Sequence, residues 1–164
     1  LLRRAVDAGV PVIGHCLGGQ ILSRALGGVV TKADVVEIGW IDVEATDRGA
    51  AREWFGDRER MNVFEWHYDA FTIPPGARRV LTNAYNANQA YVLDDRHVGF
   101  QCHVEMTSEL VTTWCAMAPG ELPATSTPER QSRDEILRDL DARVAALNVL
   151  ADGIYARWAR GLRH

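Results

Sequence analysis

The sequence predicts an α/β fold, a mostly parallel sheet flanked by helices, on three observations. The β-branched run Val10-Pro11-Val12-Ile13-Gly14 has the composition of a strand covered on both faces. It passes directly into helical spacing at Leu17, Ile21, Leu22, Ala25 and Leu26. Short apolar runs bounded by turn residues then recur before the helical period returns. With 164 residues, 47% of them hydrophobic, the chain suffices for one domain with a substantial core and is short for two.

The elements follow in order. Leu1 to Ala8 reads as the end of a helix running into the first strand, so further strand–helix units are expected upstream of Leu1. The helix from Leu17 meets a left-handed stop at Gly27-Gly28. Val35 to Glu44, VVEIGWIDVE, partly alternates polar and apolar residues, as a strand with one wetter face does. Arg48 to Arg60 is polar and reads as loop, and Val63 to Trp66 as a strand leading into His67-Tyr68-Asp69. Pro74-Pro75-Gly76 is a turn, with short strands at Val80-Leu81, Gln89 to Leu93 and Val98 to His103. Thr107 or Ser108 caps a helix carrying Leu110, Val111 and Trp114, which Pro119-Gly120 ends. After the stretch PGELPATSTP, Ser132 and Glu135 stand at capping-box spacing before Ile136, Leu140, Val144, Leu147, Ala151, Ile154 and Trp158. That apolar face suits packing on its own domain first, with a second copy of the chain, a homo-oligomer, as the alternative.

Charge and cysteine usage exclude several functions. The net charge of −4 gives no electrostatic footprint for nucleic acid or anionic lipid. The 17 arginines, beside a single lysine, are dispersed and interleaved with acids. No apolar run approaches the ~20 residues that span a bilayer. Cys16, Cys102 and Cys115 are an odd, sparse set without a C-x-x-C pair, so at least one thiol stays free and a reducing, cytoplasmic setting is expected. His15, Cys16, Cys102 and His103 lack zinc-ligand spacing, and no metal is expected. Cys102 and Cys115 read as core, and His97 and His164 invite no role.

The chemistry concentrates in Gly14-His15-Cys16-Leu17-Gly18-Gly19-Gln20, between the first strand and its helix. With serine for Cys16 this is G-x-S-x-G, the turn that lifts a nucleophile onto a sharp strand-to-helix corner. The strained corner asks for small residues at Gly14 and Gly18. Unpaired N–H groups at the helix start, Leu17 first, can favour a thiolate and hold an oxyanion. The plainer alternative is a buried cysteine on an ordinary turn. A base is offered by Gly99-Phe100-Gln101-Cys102-His103-Val104-Glu105, where His103 and Glu105, two apart on an extended chain, can share a face. Alone, His103 would read as a structural histidine; together with Cys16 and Glu105 it completes nucleophile, base and orienting acid.

GHCLGGQ followed by GFQCHVE resembles the class I glutamine amidotransferases, with an elbow G-x-C-x-G-x-Q and a second motif G-x-Q-x-H-x-E. EIGW (37–40) and EWHYDAFTIPPGA (65–77) look like stand-alone members similar to the amidotransferase half of GMP synthase. The resemblance covers about residues 1–118, read as a catalytic domain incomplete at its N-terminus, with 119–131 as linker and 132–162 as an added amphipathic helix. It implies a flavodoxin-like fold, with Cys16 as nucleophile forming a γ-glutamyl thioester, His103 as proton carrier and Glu105 orienting it. It further implies Leu17 N–H as an oxyanion donor and Gln20, His67 and Gln89 as substrate-binding candidates. A second oxyanion amide belongs, in relatives, to an earlier glycine-containing loop.

No organic cofactor is implied. The substrate would be glutamine or another γ-glutamyl compound, with an ammonia-accepting synthase as partner, since neither an SGGxDS loop nor a P-loop stands in the sequence. Rival functions on the same scaffold are a γ-glutamyl amine or peptide hydrolase and a non-catalytic binding or regulatory module. A deglycase-like or chaperone scaffold fits the residues around Cys16 less well.

Overall fold

The computed structural model describes residues 1–162, so His164 lies outside the described residues. Helix α1 (Leu2–Asp7) leads to strand β1 (Ile13–His15) and helix α2 (Leu17–Ala25). Strand β2 (Val30–Ala45), helix α3 (Arg48–Phe55) and strand β3 (Arg60–Phe71) follow, then β4 (Arg78–Thr82), β5 (Ala90–Leu93), β6 (His97–Phe100) and α4 (Ser108–Met117). Helices α5 (Arg133–Leu137) and α6 (Leu140–Arg160) close the described chain.

The strands form one sheet in the order β1-β6-β5-β4-β2-β3, with helices packed against it. The expected α/β architecture is therefore present. Its pairing differs in detail from a mostly parallel sheet: among the described strands β1 and β6 run parallel, and the other neighbours are antiparallel. Connection length explains this. Parallel neighbours need a crossover of a dozen or more residues, whereas β5 turns back into β6 through Asp94 and Asp95, both at positive φ (53° and 51°).

Two elements depart from the sequence expectation. Arg48 to Arg60, read as loop, contains α3, because Asp47 caps its start by accepting from the Gly49 and Ala50 N–H groups at 3.0 Å. Ala50, Ala51, Trp54 and Phe55 then bury one face of a segment whose overall polarity masked the period. The single helix expected from Ser132 onward is instead two. Ser132 caps α5 as its spacing suggests, but the Ile136 carbonyl accepts from the Trp40 indole at 3.0 Å instead of extending the helix. The backbone then passes through Arg138 (ψ 128°) and a left-handed Asp139 (φ 52°) before α6 begins.

The 119–131 stretch is tied to the sheet. Ile38 N–H donates to the Glu129 carbonyl and Gln131 N–H to the Ile38 carbonyl. The Gln131 side chain accepts from Trp40 N–H and donates to the Trp40 carbonyl, both at 2.8 Å. Gly39 (φ +120°) makes room, since a Cβ there would collide with Gln131.

The main core joins Ile38, Val43, Phe64 and Phe100 of the sheet to Trp54 and Phe55 of α3 and to Val144, Leu147, Leu150, Ala151 and Ile154 of α6. Arg157 stands 5.6 Å over the Trp54 ring and adds a cation–π contact to the α3–α6 packing. Cys102 and Cys115 are buried in this core, and His97 is buried at the start of β6. A smaller cluster, Leu22, Phe71 and Tyr91, lies beneath α2. No helix among the described residues is long and apolar enough to cross a membrane.

Candidate active site

The polypeptide turns sharply between β1 and α2, and Cys16 occupies the corner with φ 46° and ψ −109°, a conformation costly for an L-residue. The corner holds because the first turn of α2 closes over Gly14, where a Cβ would stand 2.5 Å from the Gly18 carbonyl carbon. Smallness at Gly18 has no such cause, since a Cβ there meets nothing within 4 Å. The glycine that packing does require is Gly19. Its Cβ would strike the Phe100 carbonyl, and its own carbonyl accepts from the Tyr91 hydroxyl at 2.9 Å. The third glycine of GHCLGGQ was the sequence signal for that contact.

His103 lies beyond the end of β6, fixed by its N–H donating to the Phe64 carbonyl at 2.8 Å. Its ring meets the Trp114 ring edge-on at 4.9 Å. Nδ1 of His103 donates to Glu105 Oε1 at 2.6 Å. Cys16 and His103 wall the same cavity of about 380 Å³, completed by His15, Leu17, Trp66, Trp114, Met117 and Ala118. A larger depression, about 550 Å³, lies between Asp42, Arg60, Asn62 and Tyr85 and contains no nucleophilic thiol.

The charges in this cavity support one another. Burial depresses the His103 pKa, but hydrogen bonding to Cys16 and to Glu105 outweighs it and pushes the value up to about 9. Burial opposes the charge on Glu105, yet the hydrogen bond from His103 and the nearness of His103 and His15 hold its carboxyl below the usual range. The Cys16 Sγ lies 3.8 Å from both the Trp66 carbonyl and the Gln101 amide nitrogen. As the first helical residue after the corner, Leu17 has no acceptor for its N–H within α2.

The substrate-binding candidates are placed elsewhere. Gln20 is buried, donating to the Asp69 carbonyl at 2.9 Å and to Gln101 Oε1 at 3.3 Å, so it reaches the thiol only through Gln101. His67 donates from Nε2 to Glu37 at 2.9 Å and bonds the Asp69 carbonyl through Nδ1. Gln89 donates to the same Glu37 at 2.8 Å. None of the three walls the cavity. All three are buried with protein hydrogen-bond partners, and Gln89 Oε1 is left without one.

Glu65 lies beside His67 with neither carboxyl oxygen hydrogen-bonded. Burial, then the neighbouring Glu37 and Cys16, raise its pKa well above the ordinary carboxylate value. Gln101 and Glu65 were not singled out from the sequence. The glutamine of G-x-Q-x-H-x-E was the available signal for the first; an isolated acid in an apolar strand was the signal for the second.

The sequence model of the glutamine amidotransferase class-I family matches residues 1–113. The chain belongs to this family. Among curated relatives, a subunit of the glutamine-hydrolyzing GMP synthase of Sulfurisphaera tokodaii is 39% identical over 98 residues, covering 58% of this chain and 51% of that protein. The glutamine-hydrolyzing GMP synthase of Aeropyrum pernix is 34% identical over 118 residues, covering 68% of this chain and 23% of that protein. The amidotransferase chain thus spans about half or less of these relatives' lengths.

Among solved structures, a glutamine amidotransferase from Methylobacillus flagellatus shares 50% identity at a TM-score of 0.95, covering 99% of this chain and 68% of that one. Another from Thermotoga maritima shares 28% identity at a TM-score of 0.82, with coverage of 96% and 66%. The chain therefore carries the family's α/β fold, with its elbow cysteine at the carboxyl end of β1.

Proposed function

We propose that this amidotransferase hydrolyses the side-chain amide of glutamine through a Cys16–His103–Glu105 triad. The observation that carries this reading is a strained Cys16 sharing one cavity with a histidine whose far nitrogen is bonded to a carboxylate. The Cys16 thiolate attacks the amide carbon, and the carbonyl electron pair moves onto an oxygen held by the Leu17 N–H. As that oxygen re-forms the carbonyl, the C–N bond breaks and His103 gives the nitrogen its proton, releasing ammonia and leaving a γ-glutamyl thioester. Water then attacks the thioester carbon while His103 takes its proton, and the thiolate departs to leave glutamate. Glu105 holds the Nδ1–H tautomer of His103 throughout. No metal or organic cofactor is needed in this sequence of steps.

The relatives named as a separate subunit of GMP synthase suggest that the ammonia goes to a synthase carried on another polypeptide. One observation favours a second substrate class, the γ-glutamyl amines and peptides. Beyond His103 the cavity is walled by Trp66, Trp114 and Met117, which suit a leaving amine that carries hydrocarbon.

The test is product release from glutamine and from γ-glutamyl amines, together with labelling of Cys16 by a glutamine-like electrophile. Ammonia from glutamine and labelling that falls in His103→Ala are the expected results. Release of amines alone transfers the function to the second class. No turnover of either class by the intact protein would leave the chain a binding or regulatory module.

A further inference from the structure

The Glu105 carboxylate has a second oxygen, and its surroundings come from a different part of the chain. Oε2 of Glu105 stands 3.6 Å from Nδ1 of His15, the residue just before the nucleophile. That separation exceeds a hydrogen bond and lies within electrostatic reach. The His15 ring is stacked on Phe100 at 5.4 Å between centroids, and Nε2 is 3.0 Å from the hydroxyl of Tyr155 on α6. His15 Nδ1 is buried without a hydrogen-bond partner. Burial, against the pull of Glu105, holds His15 below the usual histidine pKa, so the ring is neutral. Burial, with Glu105 and Cys102 nearby, pushes the Tyr155 pKa up to about 12, so the phenol keeps its proton. With the phenol donating to Nε2, the hydrogen of the neutral imidazole sits on Nδ1, the nitrogen nearer the Glu105 carboxylate. The carboxylate favours that tautomer, since it attracts an N–H and repels a lone pair.

We propose that Tyr155 and His15 are positioning residues for Glu105: the phenol of α6 fixes the tautomer of His15, whose Nδ1–H faces the carboxylate oxygen that His103 leaves free. The inference rests on the reading of Cys16, His103 and Glu105 as the hydrolytic triad. It gives α6 a place in the site, although that helix lies beyond the residues matched by the family model. With His103 bonded to one oxygen and the Nδ1–H of His15 facing the other, rotation of Glu105 away from His103 is disfavoured, and the His103 proton stays where the departing nitrogen needs it. The titratable groups acting on His15, Glu105 and Tyr155 are one another, His103 and Cys102, and those acting on His103 are Cys16 and Glu105.

The test uses the whole polypeptide and two readouts: steady-state hydrolysis, and the rate of iodoacetamide labelling at Cys16 against pH, located by peptide mass. Tyr155→Phe keeps the ring and removes the donor. It should lower kcat about three- to tenfold, on the scale of one hydrogen bond, with KM little changed. In the labelling profile, the alkaline limb that reports loss of the His103 proton should move down from about 9. His15→Leu should do the same, and Tyr155→Phe should add nothing in the His15→Leu background. His15→Asn, which keeps an N–H where Nδ1 stands, should recover most of the rate lost in His15→Leu.

Superimposable profiles for Tyr155→Phe and the unaltered protein overturn the proposal, as do effects of the two substitutions that simply multiply. If Tyr155→Phe fails to fold, the contrast between His15→Asn and His15→Leu decides alone, equal losses overturning the proposal. His103→Ala separates the two levels. If it leaves labelling and hydrolysis intact, the triad reading has failed; if it abolishes them while Tyr155→Phe moves neither, only the relay has.

Discussion

Two histidine–glutamate pairs, His103 with Glu105 and His67 with Glu37, are chemically alike but differently placed. His103 and Glu105 meet at 2.6 Å beside the cavity, with side chains 10% and 35% exposed. His67 and Glu37 meet at 2.9 Å with side chains 1% and 0% exposed. The first pair has one nitrogen on a carboxylate and the other toward a thiol and a space where substrate fits. The second has both nitrogens spent on protein oxygens, and Gln89 and Asn83 further occupy its carboxylate. Such a pair becomes chemistry only where one partner keeps an unspent valence toward an accessible cavity. Sealed from water, the same pair braces the sheet, here fastening β2 to β3.

Substitutions can break this contrast from either side. The largest effect is expected at the open pair: Cys16→Ala and His103→Ala should each reduce hydrolysis by about a thousandfold or more, Cys16→Ala with little change in the urea midpoint and His103→Ala with a lower one, because Glu105 loses its partner. At the sealed pair the result inverts. Glu37→Leu strips His67, Gln89 and Asn83 of their shared acceptor and should cost about 3–5 kcal/mol in urea unfolding, since three donors are left without a partner.

The pH dependence of stability should follow the open pair. His103 has its pKa raised to about 9, so its stabilisation is complete below its ordinary value near 6.5 and fades as pH rises through 9. Glu105 has its pKa lowered, so its share is complete above its ordinary value near 4.5 and fades as pH falls through the depressed folded value. The Tm should therefore be highest between these limits and decline toward pH 9. The alkaline decline should be shallower in His103→Gln.

The smallest effects separate three neighbouring glycines. Gly18→Ala should raise stability by up to ~1 kcal/mol, since alanine suits a helix and nothing stands in the way. Gly14→Ala and Gly19→Ala should destabilise through collisions with backbone, Gly14→Ala also reducing Cys16 labelling.

Much of the site was legible because its residues are adjacent in sequence or two apart. The turn from β1 to α2 announced itself through glycines around Cys16, and His103 and Glu105 meet although β6 ends at Phe100 and the chain between them is irregular. What sequence could not give was which polar residues spend their valence on one another. His67, Gln20 and Gln89 carry groups suited to a substrate, and only the fold reveals Glu37, Asp69 and Gln101 already in contact with them. The break between α5 and α6 was hidden for the same reason. Its cause is a Trp40 indole remote in sequence, while the apolar spacing runs on unbroken through Leu140. EIGW marked β2, but the use of Gly39 and Trp40 to receive Gln131 and Ile136 depends on segments some ninety residues later.

The seat of Gly19 on Phe100, with the Tyr91 phenol as a strut between α2 and β5, has a thermal consequence. Phe100 begins the run that ends at His103, so the helix bearing the thiol and the loop bearing the imidazole share one foundation. Warming cannot slide one past the other without uprooting both. Heat inactivation and global melting should therefore coincide, with no temperature interval in which a folded but misaligned enzyme accumulates.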